Sequence, residues 1–208
     1  TLPIALATMH NAIVTIGKFT KGETILIQGA SSGVGLMGLQ IAKYLGAKLV
    51  IGTSTKQEKF DKLKSIGADL VVNSKDKDWV DQVLQETNNE GVDLIIDQLS
   101  GYTINENMRA SKVKGTIVYV GRLAGGNTEF NCDLHALRRI NYRGVTFRTR
   151  SINEIREVYS KMWSDLGDLV DKGKLSLPIE KIFEFDDVSD ALSCMRYNQH
   201  FGKLVLKV

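Results

Sequence analysis

A glycine-rich loop between an apolar run and an amphipathic stretch constrains the fold of this chain more than any other feature. Thr24–Gln28 is short and apolar, and it leads directly into glycines at positions 29, 33 and 35. After Gly35, apolar residues recur at helical spacing until Gly46. A strand, a glycine loop and a helix in this order present free backbone N–H groups to a phosphate. The alternative is structural, because a tight strand-to-helix turn also favours glycine and the spacing is GxxxGxG rather than GxGxxG.

The strand and helix pattern repeats along the first 150 residues. Five further apolar runs, separated by glycines and helical stretches, lie at 48–52, 70–72, 92–97, 115–120 and 144–147. Strands that are apolar throughout and alternate with helices form a parallel sheet that is covered on both faces. We therefore predict an α/β fold with a doubly wound parallel six-stranded sheet of the Rossmann type, in the order 3-2-1-4-5-6.

The pattern changes after residue 150. A long helix is predicted over 153–172, and strands are predicted at 179–185 and 203–208 on either side of a second helix. Neither strand has an obvious partner within the chain. We therefore divide the sequence into a nucleotide-binding domain, residues 1–150, and a C-terminal helix and strand segment, residues 151–208.

Composition excludes several classes of partner. Among the 208 residues, Lys and Arg total 27 and Asp and Glu total 24, a net charge of +3 that does not indicate a nucleic-acid partner. The apolar runs are too short to cross a membrane, and the first residues do not resemble a signal peptide, so we expect no membrane partner and a cytoplasmic location. The 2 Cys and 3 His residues are scattered, and we predict no metal site.

The end of the second strand distinguishes between two dinucleotides. An NAD site places an acid there, about 20 residues past the glycines, to hold the adenosine ribose. Here Gly52–Lys56 (Gly-Thr-Ser-Thr-Lys) takes that place, with Lys59 one turn further on. Hydroxyl and ammonium groups suit a 2′-phosphate, so the sequence favours NADPH over NADH. The alternative is that Lys56 and Lys59 form only the solvated face of a helix.

Order and spacing together resemble the cofactor-binding half of the zinc-less medium-chain dehydrogenase/reductase superfamily, in particular its quinone oxidoreductase branch. Lys21–Ile27 followed by Gly29–Gly35 is similar to that family's signature, and Gly67–Asp69 and the closing Gly202–Leu206 match later landmarks in order. The resemblance covers nearly the whole chain.

The resemblance implies a cofactor site built from the connecting helix and from the segments that follow the predicted strands. Thr8 would approach the nicotinamide carboxamide, and Ser74 stands where relatives carry Tyr or His beside the adenosine phosphate. The other implied cofactor-binding residues are Ser31, Ser32, Gly33 and Val34 at the pyrophosphate, Ser54, Thr55 and Lys59 at the 2′-phosphate, and Tyr119, Gly121, Arg122, Phe147 and Arg148 after the fifth and sixth strands.

The function that the resemblance implies is zinc-independent transfer of hydride from NADPH to a quinone or to an activated C=C bond. No residue qualifies as a catalytic acid, which agrees with a reaction that the cofactor carries. Family members begin with a barrel-like catalytic lobe, so residues 151–208 would be a C-terminal remnant that returns to a missing lobe, and the fragment alone is expected to be inactive. Two alternatives are a non-catalytic NADPH-sensing or regulatory module and the enoyl reductase module of a multidomain synthase.

The predicted sixth strand, 144–148, suggests a mode of assembly. An apolar edge strand without proline presents unpaired backbone groups, and relatives dimerise along this edge, so we expect a homodimer through 144–148. The alternative is that Arg143, Arg148 and Arg150 keep the edge open by repulsion.

Overall fold

The structure, a computed structural model, describes residues 2–208 and contains a parallel six-stranded sheet with helices on both faces. The sheet has the order β3-β2-β1-β4-β5-β6. Its strands are β1 (Thr24–Ile27), β2 (Leu49–Thr53), β3 (Leu70–Val72), β4 (Val92–Asp97), β5 (Ser111–Tyr119) and β6 (Asn141–Gly144). Every neighbouring pair in this order is parallel. The predicted α/β class, the doubly wound sheet and the strand order are confirmed.

The helices follow the strands in alternation. They are α1 (Leu2–His10), α2 (Gly33–Tyr44), α3 (Phe60–Ile66), α4 (Trp79–Glu86), α5 (Ile104–Ala110), α6 (Cys132–Arg138), α7 (Ile152–Asp171) and α8 (Val188–Arg196). A π-helical segment, Asn11–Ile16, continues α1. Within residues 2–208, no helix combines the length and the apolar character that crossing a membrane requires.

The two faces of the sheet pack into two separate hydrophobic layers. In β1, Ile25 and Ile27 point into the layer that contains Leu36 of α2, whereas Leu26 points into the layer that contains Trp79 of α4. All three strand residues are fully buried. Because both faces of the sheet are covered, successive residues of a strand are all buried and none of them needs to be polar. This burial explains the continuous apolar runs in the sequence.

The sixth strand lies three residues earlier than predicted. β6 pairs with β5 from Asn141, opposite Thr116, to Gly144, opposite Tyr119. Val145, which the sequence predicts at the sheet edge, is only 7% exposed and packs into the core. The polar Asn-Tyr-Arg-Gly run forms the paired edge strand. The N–H of Val145 still donates to the carbonyl of Tyr119 at 2.9 Å, while its side chain packs into the core. The homodimer along 144–148 stays a prediction. The strand at this edge of the sheet is Asn141–Gly144.

The two C-terminal strands pair with each other. β7 (Ile179–Glu184) and β8 (Lys203–Lys207) form a parallel two-stranded sheet, and α8 lies between them in the chain. The expectation that they have no partner within the chain is therefore wrong. A parallel pair needs a helical crossover, which hides the pairing from a local reading of the sequence.

At the opposite end of the sheet from the glycine loop, Asp93 joins β1 to β4. Its Oδ2 atom accepts hydrogen bonds from the backbone N–H (2.9 Å) and the hydroxyl (2.8 Å) of Thr24, and the Lys112 ammonium lies 3.3 Å from Oδ1. Burial alone would raise the pKa of Asp93, but the bonds from Thr24 and the charge of Lys112 together hold it below its usual value.

We predict that Asp93→Asn lowers the free energy of unfolding at pH 7 by about 1–3 kcal/mol, because the charge-assisted bonds are lost. A depressed folded-state pKa stabilises above the unfolded value of about 3.9, and the contribution disappears as the pH falls through the folded value. Urea denaturation of both proteins at pH 7 and pH 3 should show the difference shrinking at pH 3. A difference of equal size at both pH values would contradict this account.

Candidate functional site

The glycine loop between β1 and α2 is shaped by close backbone contacts. Gly29 has φ +67°, a conformation that favours glycine. A Cβ at Gly35 would lie 2.6 Å from the carbonyl oxygen of Gly29, so this position accepts no side chain. Ser32 caps α2, because its hydroxyl accepts a hydrogen bond from the N–H of Gly35 at 3.0 Å. The helix N-terminus is therefore fixed at the end of β1, where it can receive an anion.

A buried polar network holds the carboxyl ends of β1, β2 and β4 together. The side-chain oxygen of Gln28 accepts from the hydroxyl of Thr53 (2.8 Å), which accepts from the N–H of Gly29 (3.0 Å). The amide of Gln98 donates to the carbonyl of Gln28 (2.9 Å), and its oxygen accepts from the hydroxyl of Ser32 (3.1 Å). The network fixes the point where the strand order reverses, the usual ligand crevice of such sheets.

The turn after β4 is anchored by a buried carboxylate. One oxygen of Asp97 accepts from the backbone N–H groups of Leu99 and Ser100, both at 2.9 Å. Burial raises the pKa of Asp97, although these hydrogen bonds oppose the shift. Ser100 adopts φ 61°, ψ −153°, a region that is almost confined to glycine. The turn therefore contains local strain beside the crevice.

We predict that Ser100→Gly raises the free energy of unfolding by about 1 kcal/mol, because the relieved strain exceeds the entropic cost of glycine. Buried Ser111 is the matched control: it has an ordinary φ of −75°, and its hydroxyl donates to Asn107, so Ser111→Gly should destabilise. Urea denaturation of both variants makes the test. Equal destabilisation by the two substitutions would disprove the strain at Ser100.

The residues at the end of β2 divide into buried and accessible groups. Ser54 is buried, and its hydroxyl accepts from the N–H of Lys56 at 3.2 Å. Thr55 is exposed, and Lys56 is partly exposed. Lys59 is only 5% exposed, and its ammonium lies within hydrogen-bond distance of three oxygens of the C-terminal segment. The role of Lys59 at a 2′-phosphate stays a prediction, and the structure gives its ammonium other partners.

The loop after β5 packs on the turn after β4. The N–H groups of Val120 and Gly121 donate to the backbone carbonyl of Asp97, and a Cβ at Gly121 would lie 2.5 Å from the carbonyl oxygen of Gln98. The Arg122 guanidinium lies 5.0 Å from the centre of the Tyr119 ring. The predicted residues of this loop therefore reach the crevice edge beside β4.

The other predicted residues lie around this centre. Ser31, Val34 and Thr8 are half-buried, with Ser31 and Val34 at the glycine loop and Thr8 on α1. The hydroxyl of Ser74, after β3, lies 3.3 Å from the hydroxyl of Tyr102. Both residues line a cavity of about 500 Å³. Phe147 and Arg148 follow β6, which β4 and β5 separate from β1. The glycine loop and the ends of β2, β4 and β5 thus form one site, and residues 147 and 148 lie furthest along the sheet.

One cation of the site has no signal in the local sequence. Gly202 forms a parallel bridge with Ser32, and the side chain of Lys203 lies against Gly33: a Cβ there would be 2.9 Å from Lys203 Cε and 3.4 Å from Nζ. An ammonium therefore stands at the N-terminus of α2. The sequence predicts Lys203 only as part of the closing strand, because nothing local connects it to the glycine loop.

These residues fit the phosphates of a dinucleotide. At the N-terminus of α2 the Ser32 hydroxyl takes up the N–H of Gly35, and Lys203 adds a positive charge beside Gly33. The end of β2 carries hydroxyl and ammonium groups where a ribose-binding acid would stand. The geometry therefore supports a nucleotide site at the carboxyl edge of the sheet.

Residues 33–164 match the family model described as "Zinc-binding dehydrogenase". The chain belongs to this family. The predicted resemblance to the medium-chain dehydrogenase/reductase superfamily is confirmed, and the chain is a member of a family of nicotinamide-dependent oxidoreductases. Among residues 2–208, the structure brings together no group of three or more His, Cys, Asp or Glu side chains that could hold a metal ion.

Large synthases are among the proteins whose sequences are similar to this chain. "Hybrid PKS-NRPS synthetase pynA" of Aspergillus niger is 31% identical over 218 residues, which cover 99% of this chain and 5% of that protein. "Highly reducing polyketide synthase apmlA" of Arthrinium phaeospermum is 27% identical over 225 residues, which cover 99% of this chain and 9% of that protein. The chain thus spans less than a tenth of the length of these relatives.

Two solved structures share the fold. The CurK enoyl reductase has a TM-score of 0.83 at 24% identity, over 99% of this chain and 60% of that one. A quinone oxidoreductase from Pseudomonas syringae pv. Tomato DC3000 has a TM-score of 0.85 at 24% identity, over 98% of this chain and 63% of that one. At 24% identity these two structures show the fold alone, and they do not distinguish between an enoyl group and a quinone as the acceptor.

We predict that Gly35→Ala destabilises the protein by about 1–3 kcal/mol, because its Cβ would collide with the backbone of Gly29 and Ala30. Gly33→Ala is the matched control, since its Cβ would meet only the flexible end of Lys203. Thermal unfolding should place Gly35→Ala well below Gly33→Ala. Equal unfolding temperatures for the two variants would contradict the close approach at Gly35.

Proposed function

We propose that this chain is the cofactor-binding part of a reductase that transfers hydride from NADPH to the activated C=C bond of an enoyl group. The observation that carries the proposal is the similarity of 99% of the chain to polyketide synthases that are 27–31% identical, one of them named as highly reducing. A quinone is the competing acceptor, and its support is a likeness of fold.

The proposed cofactor contacts follow from the site. The N-terminus of α2, with Ser32, Gly33 and the ammonium of Lys203, would hold the pyrophosphate. The end of β2 lacks a carboxylate at the ribose position, which favours a 2′-phosphate and hence NADPH. The bound nicotinamide supplies the hydride. What this chain contributes is orientation, because hydride transfer depends chiefly on the placement of donor and acceptor.

We extend the proposal to the domain organisation. Apolar side chains of the C-terminal unit are largely exposed: Ile182 (59%), Phe185 (60%) and Leu192 (57%). Residues 151–208 would pack these side chains on a second lobe of a longer protein, and that lobe would hold the substrate. This arrangement is in keeping with the small share of the relatives' length that the chain spans.

We predict that the longer protein that contains this chain oxidises NADPH with an α,β-unsaturated thioester at least tenfold more efficiently than with a simple benzoquinone. The physical reason is that a site shaped for an enoyl thioester orients the C=C bond against the nicotinamide, whereas a simple benzoquinone lacks the contacts that would orient it. The decrease of NADPH absorbance under each acceptor gives both values of kcat/KM. A preference for the quinone would overturn the enoyl assignment and leave the oxidoreductase family unaffected.

A further inference from the structure

Three buried polar atoms from three different elements have no partner beside the turn after β4. They are Oδ2 of Asp97 at the end of β4, Nδ2 of Asn107 on α5 and the hydroxyl oxygen of Tyr142 on β6. Among residues 2–208, none of these atoms has a hydrogen-bond partner. Asp97 and Asn107 are fully buried. An unpaired polar atom in the interior costs free energy, so each of the three requires an explanation.

The three groups lie on the same face of the sheet. Tyr142 of β6 and Ile104 of α5 both pack against the hydrophobic layer that contains Ile95 of β4. Asp97 follows Ile95 by two residues in the same strand and therefore points to the same face. Asn107 lies about one helical turn after Ile104. Since β5 lies between β4 and β6 in the sheet, the ring of Tyr142 has a single strand to cross in order to approach Asp97.

The pKa shifts of these groups show that they are close to one another. Burial raises the pKa of Tyr142, and the negative charge of Asp97 acts in the same direction. The hydroxyl of Tyr142 therefore keeps its proton at neutral pH. Burial also raises the pKa of Asp97, although the backbone N–H groups of the turn and the nearby amide of Asn107 oppose that shift. The groups influence one another, yet the three atoms form no hydrogen bond of ordinary geometry.

The chemistry of the three atoms determines what can lie between them. Oδ2 of Asp97 accepts hydrogen bonds, and the hydroxyl of Tyr142 can donate or accept. Asn107 presents its amide N–H groups, because its oxygen already accepts from the amide of Gln28 at 2.6 Å. A cation would face the N–H groups of Asn107, and an anion would face the carboxylate of Asp97. A water molecule both donates and accepts, and it matches all three atoms.

We infer that one buried water molecule bridges Asp97, Asn107 and Tyr142 as a permanent part of the structure. The water accepts from the amide of Asn107, donates to Oδ2 of Asp97 and pairs with the hydroxyl of Tyr142. The inference is independent of which cofactor or substrate the chain binds.

The bridging water extends the buried polar network of the site across the sheet. Gln28 already connects Asn107 with Thr53 at the end of β2. Through the water, the same network reaches the edge strand β6. The water also holds the carboxylate of Asp97, whose other oxygen fixes the strained turn at Ser100. It is therefore a structural component of the edge on which the loops of the site are built.

The sign of one stability change distinguishes a bridged hydroxyl from an unpaired one. Tyr142→Phe should lower the unfolding temperature of this chain by about 2–4 °C, because a hydroxyl that is paired through water is lost. Removal of an unpaired buried hydroxyl would instead raise the unfolding temperature, since its desolvation cost disappears. Tyr44→Phe is the matched control: Tyr44 is 54% exposed at the end of α2, and the unfolding temperature should not change.

A high-resolution crystal structure of the unaltered chain locates the water directly. The expected result is electron density for one water molecule at about 2.6–3.2 Å from each of the three atoms. A direct hydrogen bond between Asn107 and Asp97, with no water between them and Tyr142, would overturn the inference. An unfolding temperature of Tyr142→Phe that equals or exceeds that of the unaltered chain would also overturn it.

Discussion

The hydrogen bonds that join Gln28, Thr53 and Gln98 are the interaction on which the site depends. These side chains are buried at the carboxyl ends of β1, β2 and β4, where an unpaired amide or hydroxyl would cost free energy. Pairing them fixes the three strand ends relative to one another. The glycine loop can then be held by Thr53 and Gln98 from both sides, and the N-terminus of α2 has a defined position before any ligand binds.

The same constraint explains how distant parts of the chain reach one site. Ser32 contacts Gln98 through its side chain and Gly202 through its backbone, so one residue connects the network to the C-terminal segment. The turn after β4 also holds the loop after β5 in place, because the backbone carbonyl of Asp97 accepts hydrogen bonds from the N–H groups of Val120 and Gly121. A rigid sheet edge thus positions several loops, the usual basis for binding sites in folds of this type.

Much of the fold could be predicted from the sequence because the determining signals are local. Apolar runs marked all the central strands, and glycines at 29 and 35 marked a turn that tolerates no side chain. The errors concern contacts that a local pattern does not encode. β6 begins three residues before its predicted start because the paired residues Asn141–Gly144 are polar. The pairing of β7 with β8 has no local sign in the sequence because a helix separates the two strands.

The site was predictable to the same extent. The residues of the glycine loop and the ends of β2 and β5 come together as expected, because parallel strands bring their carboxyl ends to one edge. The partners of Lys59 and the place of Lys203 depend on a segment far along the chain, and no periodicity or motif in the sequence indicates that contact.

The most direct test of the nucleotide site is an NMR titration of the isotopically labelled chain with NADPH, observed through the backbone amide signals. The account predicts that the largest shifts fall on 29–35, 53–56, 97–101 and 119–122, with further shifts on 198–203. Shifts that cluster at the opposite edge of the sheet, around Glu86, Glu90 and Lys112 in a cavity of about 310 Å³, would contradict it, as would the absence of any shift.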